Sequence, residues 1–363
     1  MKTFDGYMRG MGIGGWLTNY KRVILLPKEL RKRITVGDVE HFEKYITRAD
    51  VRRIAGFGMD HIRLAFDQIV IEDDEHPFTY RESGFGYIDR CVDWCRAEHI
   101  NLVLNLHKAV GAYCDCGDEG SLLDDPTLQE RFIRLWVEFE RRYHAEDMPF
   151  EVLNEVNSAD SAKWNDLAGR VVAAIRALNP TRKIIIGSAQ WNRVTKLREL
   201  RLFDDPNIVY TFHFYDPDEF THQRGVLRPL FAYYNRDIAY PGPLAPLLEF
   251  RDLVKWDKGL YEGLCRFDRS FIEKNLQPVV DFIAAHPDKP LYFGEFGTIR
   301  HMDITSRENW MRDLIGFARQ HRIAYCVWNY FSTPYDGNRF SLVDDDTRQI
   351  VSTGMLKAIR GEA

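Results

Sequence analysis

The chain has 363 residues, of which 45% are hydrophobic and 28% are charged, and its formal net charge is −5. A chain of this length can bury a core large enough to fold without disulfide bonds. The negative charge argues against nucleic acid or an anionic membrane surface as the main partner. No apolar run approaches the roughly 18 residues of a membrane span, and the first residues lack the apolar centre of a signal peptide. We therefore expect a cytoplasmic protein, or a secreted one if a leader has been removed.

The chain contains six cysteines, and their positions favour free thiols over a metal site. Cys91 and Cys95 lie four residues apart in an amphipathic stretch, and Cys326 lies in an apolar run, so all three are predicted to be buried. Cys114 and Cys116 are closer together than the usual zinc-binding pair, and no second pair or histidine motif accompanies them. We predict neither a metal nor a cofactor, and the role of these two cysteines stays open.

Eight short apolar runs predict β-strands that are covered by helices. They span residues 8–14, 61–66, 101–107, 150–155, 183–188, 208–215, 291–295 and 323–329. Amphipathic helical patterns alternate with them, for example at 127–143 and 161–178, and Ser306 is the candidate N-cap of a helix that ends near residue 319. This alternation predicts an α/β fold, a closed (β/α)8 TIM barrel. A dinucleotide-binding sheet is disfavoured, because the sequence has no G-x-G-x-x-G motif between a predicted strand and a helix.

Residues 1–363 are predicted to form a single (β/α)8 domain, because no linker or low-complexity tract divides the chain. The gap between the sixth and seventh strands, residues 216–290, is about twice as long as an ordinary βα unit. We interpret this segment as an insertion in the sixth βα loop that forms a small lid-like subdomain.

The predicted strands end in an unusual concentration of polar and aromatic side chains. In a barrel of this kind, functional groups lie where the strands end at the C-terminal face. A single glutamate in such a position is more often structural, but buried charges need partners, and here the available partners are themselves at strand ends. The candidate site residues are Arg63, Asn105, His107, Asn154, Glu155, His213, Tyr215, Glu295 and Trp328.

Two of these residues, Glu155 on the fourth strand and Glu295 on the seventh, are expected to face each other across the barrel mouth. Retaining glycosidases use such a pair about 5–5.5 Å apart, one as acid/base and the other as nucleophile. Arg63 can hold Glu295 ionised and Tyr215 can donate a hydrogen bond to it, which suits a nucleophile.

Glu155 has Asn154 beside it, is expected to lie near His213, and has no fixed cation in the predicted site. Its acid form is therefore easier to retain, which suits the acid/base. Trp328 is expected to lie under the sugar ring at the cleavage subsite.

The motifs around these residues resemble those of glycoside hydrolase family 5, in clan A. They are His-Ile-Arg63-Leu, Leu-Asn-Leu-His107, Val-Leu-Asn154-Glu155, His213-Phe-Tyr215, Gly-Glu295-Phe-Gly and Val-Trp328-Asn, and they follow in order along essentially the whole chain. The flanking sequence resembles a non-cellulosomal clostridial endo-β-1,4-glucanase of that family. The resemblance implies hydrolysis of β-linked glucan by double displacement with retention and without a metal. It also implies that Asn154 contacts the sugar 2-hydroxyl, His213 lies near the acid/base, and Tyr215 contacts the nucleophile.

The third strand departs from the family pattern. Relatives usually have a Leu-Asp-x-His-His sequence there, whereas this chain has Asn105 and Lys108 at the aspartate and second histidine positions. The second histidine commonly binds the sugar near the cleavage point, so Lys108 points to a changed substrate contact. Trp191, at the end of the fifth strand, is either a sugar platform or a loop-packing residue.

The first functional hypothesis is an endo-β-1,4-glucanase acting on cellulose-type or mixed-linkage β-1,3-1,4-glucan, expected to work as a monomer. A β-mannanase or an oligosaccharide-trimming β-glucosidase of the same family is the alternative, because loops such as 216–290 set specificity. A non-catalytic carbohydrate-binding barrel would lack one carboxylate, and both are present here. A metal-dependent hydrolase is disfavoured because the first strand has no His-x-His motif.

Overall fold

The computed structural model describes residues 4–18, 34–112, 121–226, 229–333, 336 and 338–362. Its eight parallel strands form one closed barrel in which each strand pairs with the next and the eighth pairs with the first. The strands are β1 Arg9–Leu17, β2 His61–Asp67, β3 Asn101–Lys108, β4 Phe150–Glu151, β5 Ile184–Gly187, β6 Ile208–His213, β7 Leu291–Phe296 and β8 Ala324–Val327. The predicted TIM barrel is therefore confirmed.

Helices separate the strands along the chain and form the outer layer. They are α1 Val36–Lys44, α2 Arg48–Gly56, α3 Gln68–Ile71, α4 Glu82–Ala97, α5 Pro126–Arg142, α6 Ser161–Arg176, α7 Asp218–Thr221, α8 Pro229–Tyr234, α9 Ala245–Val254, α10 Arg269–Asn275, α11 Gln277–Ala285, α12 Ile304–Gln320 and α13 Thr353–Arg360. Two 3₁₀ helices span Val194–Glu199 and Gly259–Tyr261, and a single left-handed turn spans Ala189–Asn192. In the described part of the chain no helix is both long and apolar enough to cross a membrane.

Helix ends follow local capping chemistry, and one predicted cap is wrong. The Asp125 carboxylate accepts hydrogen bonds from the first backbone amides of α5, and Asp160 does the same for α6. The N-cap of α12 is Asp303, whose carboxylate accepts from the backbone amide of Ser306. Ser306 itself lies inside the helix, and its hydroxyl accepts from the backbone amide of Tyr240. Serine and aspartate are both common N-caps, and here Asp303, three positions before Ser306, is the one that caps the helix.

Several predicted strand ends are also corrected. The fourth strand pairs only over Phe150–Glu151, so Asn154 and Glu155 follow the strand instead of ending it. Arg63 lies in the middle of β2, and Trp328 comes directly after β8. Beyond Glu151 the fourth run still bonds to its neighbours, since the backbone amides of Val152 and Asn154 donate to the carbonyls of Ile185 and Leu106. The regular ladder has ended by then, and Glu155 leaves the strand direction in left-handed backbone. The segments after the strands are therefore able to line a cleft.

Residues 216–290 include helices α7 to α11, which pack on one another and on the barrel, where Tyr240 and Phe267 contact Trp310 of α12. Arg251 on α9 forms an ion pair with buried Glu219 on α7, at 2.6 Å, and Tyr261 donates a hydrogen bond to the same carboxylate. The last helix of the segment, α11, packs against the 3₁₀ helix Val194–Glu199 in the outer layer of the barrel. The lid function of this segment stays a prediction.

The core has two parts. The larger part lies between strands and outer helices, and it includes Cys91 and Cys95. The smaller part fills the barrel interior and consists of Phe4, Tyr7, Val103, Ile185, Val209, Tyr292, Ala324 and Cys326. The three predicted core thiols are confirmed as buried and free, whereas Cys114 and Cys116 lie outside the described residues. The small core closes the N-terminal end of the barrel and leaves the opposite end for the site.

Candidate active site

Glu155 and Glu295 meet at the C-terminal end of the barrel. One carboxylate oxygen of each residue and one ring nitrogen of His213 all lie within 4.8 Å of one another. Glu295 lies on β7 and is buried, whereas the side chain of Glu155 is 20% exposed. The two carboxylates therefore share one small volume, and only Glu155 borders the solvent.

Glu295 is held by groups from two other strands. The guanidinium Nη1 of Arg63 lies 2.5 Å from Glu295 Oε1, and the Tyr215 hydroxyl donates to Oε2 at 3.0 Å. His213 Nδ1 lies 3.8 Å from the same Oε2. The contacts predicted for Arg63 and Tyr215 are observed, and both oxygens of Glu295 are engaged.

Arg63 also forms an ion pair with a second buried carboxylate, Glu151, which the sequence analysis missed. Its Nε and Nη2 donate to Glu151 at 2.6 and 2.8 Å, and Nη2 donates to Asn154 Oδ1 at 2.7 Å. Arg63 and Glu151 are fully buried. The sequence does contain a signal for this contact, namely a glutamate inside the apolar run 150–155. A charge buried in such a run needs a partner of opposite charge.

This sharing changes the expected electrostatics of Glu295. Burial raises the pKa of Glu295, and the charge of Glu155 adds to that rise, while His213 and Arg63 oppose it. Arg63 favours the ionised form of Glu295, as predicted. Its single positive charge is, however, divided between Glu151 and Glu295, so burial outweighs it and the pKa of Glu295 lies above the ordinary glutamate value.

Glu155 has a different environment. Its backbone lies in the left-handed region, with φ 45°, so its side chain does not follow the alternation of a strand. His213 Nδ1 lies 2.8 Å from Glu155 Oε1, and the other ring nitrogen lies 3.2 Å from the amide nitrogen of Asn192. Burial lowers the pKa of His213 to about 4, which keeps the ring neutral at ordinary pH. Asn192 is a second residue that the sequence analysis missed.

A flat aromatic pair lies at the same end of the barrel. The rings of Trp328 and His107 stack with centroids 5.5 Å apart and planes 5° from parallel. Gly12 and Gly14 make room for this arrangement, because a Cβ at either position would lie 2.7 or 2.3 Å from the Trp328 ring. The pair presents an aromatic surface of the kind that packs against sugar C–H faces.

His107 is held from the side by Asn105, whose Oδ1 lies 3.0 Å from His107 Nδ1. Burial, with smaller contributions from the charges of Lys108 and Arg63, lowers the pKa of His107 well below the ordinary histidine value. Lys108 is itself buried at the end of β3. Both departures from the family pattern therefore lie next to the aromatic pair.

Trp191 lies on the Glu155 side of the site. Its backbone amide donates to the carbonyl of Val156 at 3.2 Å, and its side chain is 38% exposed. The Arg193 guanidinium lies 5.7 Å from the ring centroid. Trp191 is thus partly open to solvent beside the segment that carries Glu155, and its use as a sugar platform stays a prediction.

Glu155, His213 and Glu295 are also close enough to hold a metal ion. Their facing atoms, however, already have partners within the protein. His213 Nδ1 is bonded to Glu155, and the two oxygens of Glu295 accept from Arg63 and Tyr215. A ligand set needs lone pairs that point at the ion, and here the oxygens of Glu295 already accept hydrogen bonds while His213 Nδ1 faces a carboxylate oxygen. The arrangement fits proton transfer better than metal binding.

Comparison with known proteins agrees with this geometry. Residues 31–333 match the model of the cellulase family, glycosyl hydrolase family 5. Endoglucanase C of Acetivibrio thermocellus is 36% identical over 327 residues, which cover 89% of this chain and 91% of the relative. Cellodextrinase A of Ruminococcus flavefaciens is 32% identical over 62% of this chain and 63% of its own length.

Among solved structures, a hyperthermophilic endo-β-1,4-glucanase in complex with substrate has the same fold, with a TM-score of 0.74 over 99% of this chain and 98% of that one, at 20% identity. The family match and the endoglucanase relative define the chain as a glycoside hydrolase. More particularly, the chain belongs to glycosyl hydrolase family 5.

Proposed function

We propose that this protein is a retaining endo-β-1,4-glucanase in which Glu295 is the nucleophile and Glu155 is the acid/base. The observation that carries the proposal is the separation of the two carboxylates, whose facing oxygens lie within 4.8 Å of each other. Retaining enzymes keep their carboxyl groups about 5–5.5 Å apart, whereas inverting enzymes need about 6.5–9.5 Å to admit a water molecule. The shorter separation supports direct attack by one carboxylate.

The division of roles follows from the two environments. Glu295 accepts hydrogen bonds from Arg63 and Tyr215, which hold its oxygens in one orientation. Glu155 borders the solvent and contacts the neutral ring of His213, so it can exchange a proton with its surroundings. The fixed carboxylate suits nucleophilic attack, and the solvent-bordering one suits proton transfer.

In the first step Glu295 attacks the anomeric carbon while Glu155 donates its proton to the glycosidic oxygen. The bond between the anomeric carbon and that oxygen breaks, the shortened saccharide leaves as an alcohol, and an ester forms between the sugar and Glu295. Glu155 is then a carboxylate, and Nδ1 of His213 lies 2.8 Å from its Oε1. We assign Asn154, which Arg63 holds through its amide oxygen, to the sugar 2-hydroxyl.

In the second step the Glu155 carboxylate takes a proton from water, and the oxygen of that water attacks the anomeric carbon. The ester bond to Glu295 breaks, and the carboxylate returns to Arg63 and Tyr215. Two displacements at one carbon restore its configuration, so the product is the β-anomer. Glu155 again carries the proton needed for the next cycle.

Similarity to Endoglucanase C supports a β-glucan as the substrate, and internal cleavage as the mode of action. We include mixed-linkage β-1,3-1,4-glucan, because the changes at Asn105 and Lys108 lie beside the aromatic pair that we assign to the cleavage subsite. A second candidate is the trimming of short cello-oligosaccharides, which the similarity to Cellodextrinase A favours.

The experiment that tests this proposal is a panel of carboxymethyl-cellulose, barley β-glucan, mannan and cello-oligosaccharides with sizing of the products. An endoglucanase lowers the viscosity of the glucans early and releases mixed oligosaccharides. If the enzyme only releases glucose or cellobiose from short chains, the trimming activity is correct and the endoglucanase proposal is wrong. If it cleaves only mannan, the substrate is a mannan and not a glucan. Absence of any hydrolysis would contradict both candidates.

The stereochemistry has its own measurement. Proton NMR of the reaction in its first minutes should show the β-anomer of the new reducing end before the α-anomer appears by mutarotation. Early appearance of the α-anomer would contradict retention. Activity should also be unchanged after treatment with EDTA, and a loss that added metal restores would contradict the proton-transfer interpretation of the Glu155–His213–Glu295 cluster.

A further inference from the structure

We propose that Asn192 is a positioning residue that holds His213 in the neutral tautomer with its proton on Nδ1, directed at Glu155. This inference rests on the proposed role of Glu155 as acid/base. Its test includes a readout that does not depend on that role.

The buried His213 ring makes one contact at each of its nitrogens. Nδ1 lies 2.8 Å from Glu155 Oε1, and Nε2 lies 3.2 Å from the amide nitrogen of Asn192. An ionised carboxylate can only accept a hydrogen bond, so it requires the proton on Nδ1. A neutral imidazole has one N–H, which leaves Nε2 as an acceptor that needs a donor. The side-chain amide of Asn192 supplies that donor.

The ring is neutral because of where it lies. His213 and Asn192 are both buried, and burial lowers the pKa of the imidazole to about 4. Other charged or titratable groups near the ring are Glu155, Glu295, Arg63, Glu151 and His107. The negative carboxylates are offset by Arg63, so burial decides the charge state.

The backbone around Asn192 is shaped to present this amide. Gln190, Trp191 and Asn192 have φ values of 53°, 61° and 55°, a left-handed turn that non-glycine residues rarely form in succession. Asparagine tolerates this region better than most residues. Gly187 leaves the space for the side chain, since a Cβ there would lie 2.3 Å from Asn192 Oδ1. A strained turn beside a required glycine points to a selected side-chain position.

The tautomer matters because Glu155 changes its charge twice in each cycle. When Glu155 has given its proton to the leaving group, the N–H of His213 stabilises the resulting carboxylate. With the proton on Nε2 instead, a nitrogen lone pair would face that carboxylate and oppose its formation. Asn192 therefore acts on the reaction through His213 and without touching the substrate.

The direct test is the tautomer of His213 in the wild-type protein, read from long-range ¹H–¹⁵N spectra after labelling with ¹⁵N-histidine. The His213 signals are those that His213→Gln removes. We expect a protonated Nδ1 and an unprotonated Nε2 in the neutral range of pH. A protonated Nε2 in the wild type would overturn the proposal, and this outcome needs no variant of Asn192 to fold.

The variant Asn192→Asp keeps the shape of the side chain but can only accept at Nε2, so Nε2 should become protonated. The control Asn101→Asp adds the same charge at the exposed start of β3, at the other end of the barrel, and should leave the His213 signals unchanged. An unprotonated Nε2 in Asn192→Asp would overturn the proposal.

Kinetics separate positioning from a general structural defect. In Asn192→Asp, kcat/KM on cello-oligosaccharides should fall about 10- to 100-fold, the effect of losing one hydrogen bond to a charged group. An aryl β-cellobioside with a good leaving group, whose departure needs no proton, should lose less than about threefold in its first step. Equal losses on both substrates would overturn the proposal. If the spectra agree but Glu155→Gln retains full activity, the proposed function fails and the tautomer assignment stands.

Discussion

The two sides of the cleft are built differently. On the Glu295 side, the carboxylate, Arg63 and Glu151 all lie on barrel strands, are buried, and are joined by charged hydrogen bonds of 2.5–2.8 Å. On the Glu155 side, the carboxylate follows a short strand in left-handed backbone, and it contacts a neutral ring that is positioned by a left-handed turn. One side has a charged network within the sheet, and the other has a solvent-bordering carboxylate that contacts a neutral ring.

This difference suits the two roles that we propose for the carboxylates. A nucleophile must keep one orientation, and rigid strands with a cation and a phenol provide that. An acid/base must change its protonation state, and a position that borders the solvent allows that exchange. The fold supplies both environments by placing one carboxylate within a strand and the other beyond the end of one. The predictions below test each side of this comparison.

The largest effect is expected from Glu295→Ala, because it removes the group that forms the covalent bond. Hydrolysis should fall at least about 10⁴-fold while the protein stays folded. With an activated aryl β-cellobioside and added azide, the product should be the α-glycosyl azide, since azide attacks from the face that Glu295 occupied. Full residual activity, or a β-azide, would contradict the nucleophile assignment.

The next effect is expected from Glu155→Ala, which should slow the cleavage of unactivated oligosaccharides about 10²- to 10⁴-fold. An activated aryl substrate should still form the glycosyl-enzyme, and azide should release it as the β-glycosyl azide. The control Glu199→Ala removes a carboxylate that pairs with Lys196 outside the cleft and should keep its activity. Equal loss on both substrate types would count against the acid/base role.

A third prediction concerns the missed residue Glu151. Glu151→Gln leaves Arg63 with a single carboxylate, and breaking a buried ion pair destabilises a protein by about 3–5 kcal/mol, which thermal unfolding would detect. The undivided charge of Arg63 should then lower the pKa of Glu295, so the acidic limb of kcat/KM should move to lower pH. Glu140→Gln, which breaks the buried pair with Arg182 in the outer layer, should lose stability without moving that limb.

The smallest expected effect is a shift of the acidic limb in the pH profile of kcat/KM of the wild-type protein. Glu295 must be ionised to attack, and burial raises its pKa. As pH falls, it is therefore protonated earlier than an ordinary glutamate, whose pKa is about 4.3. The acidic limb of kcat/KM should have an apparent pKa above that value. A limb at or below it would mean that Arg63 dominates over burial on the Glu295 side.

The sequence was sufficient to predict the barrel and the partners of both carboxylates. Apolar runs mark buried strands wherever helices cover them, so all eight strands were located. Strand ends converge in a barrel, so the contacts of Glu295 with Arg63 and Tyr215, and of Glu155 with His213, followed from the order of the motifs.

The residues that the sequence did not predict, Glu151 and Asn192, act through contacts between distant parts of the chain. Glu151 sits within an apolar run, and nothing local indicates that it divides the charge of Arg63 with Glu295. Asn192 follows a strand in a turn whose left-handed backbone has no signal of its own in the sequence. Hydrophobic patterning also does not record where a regular ladder ends, as it does after Glu151.

The most direct measurement of the central claim is to trap the covalent intermediate. A 2-deoxy-2-fluoro β-cellobioside with a good leaving group should react to form a glycosyl-enzyme that turns over slowly, because the fluorine destabilises both transition states. We predict a mass increase of one fluorinated cellobiosyl unit per chain, located by peptide mapping on Glu295. A label on any other residue, or inhibition without a mass increase, would contradict the assignment of Glu295 as the nucleophile.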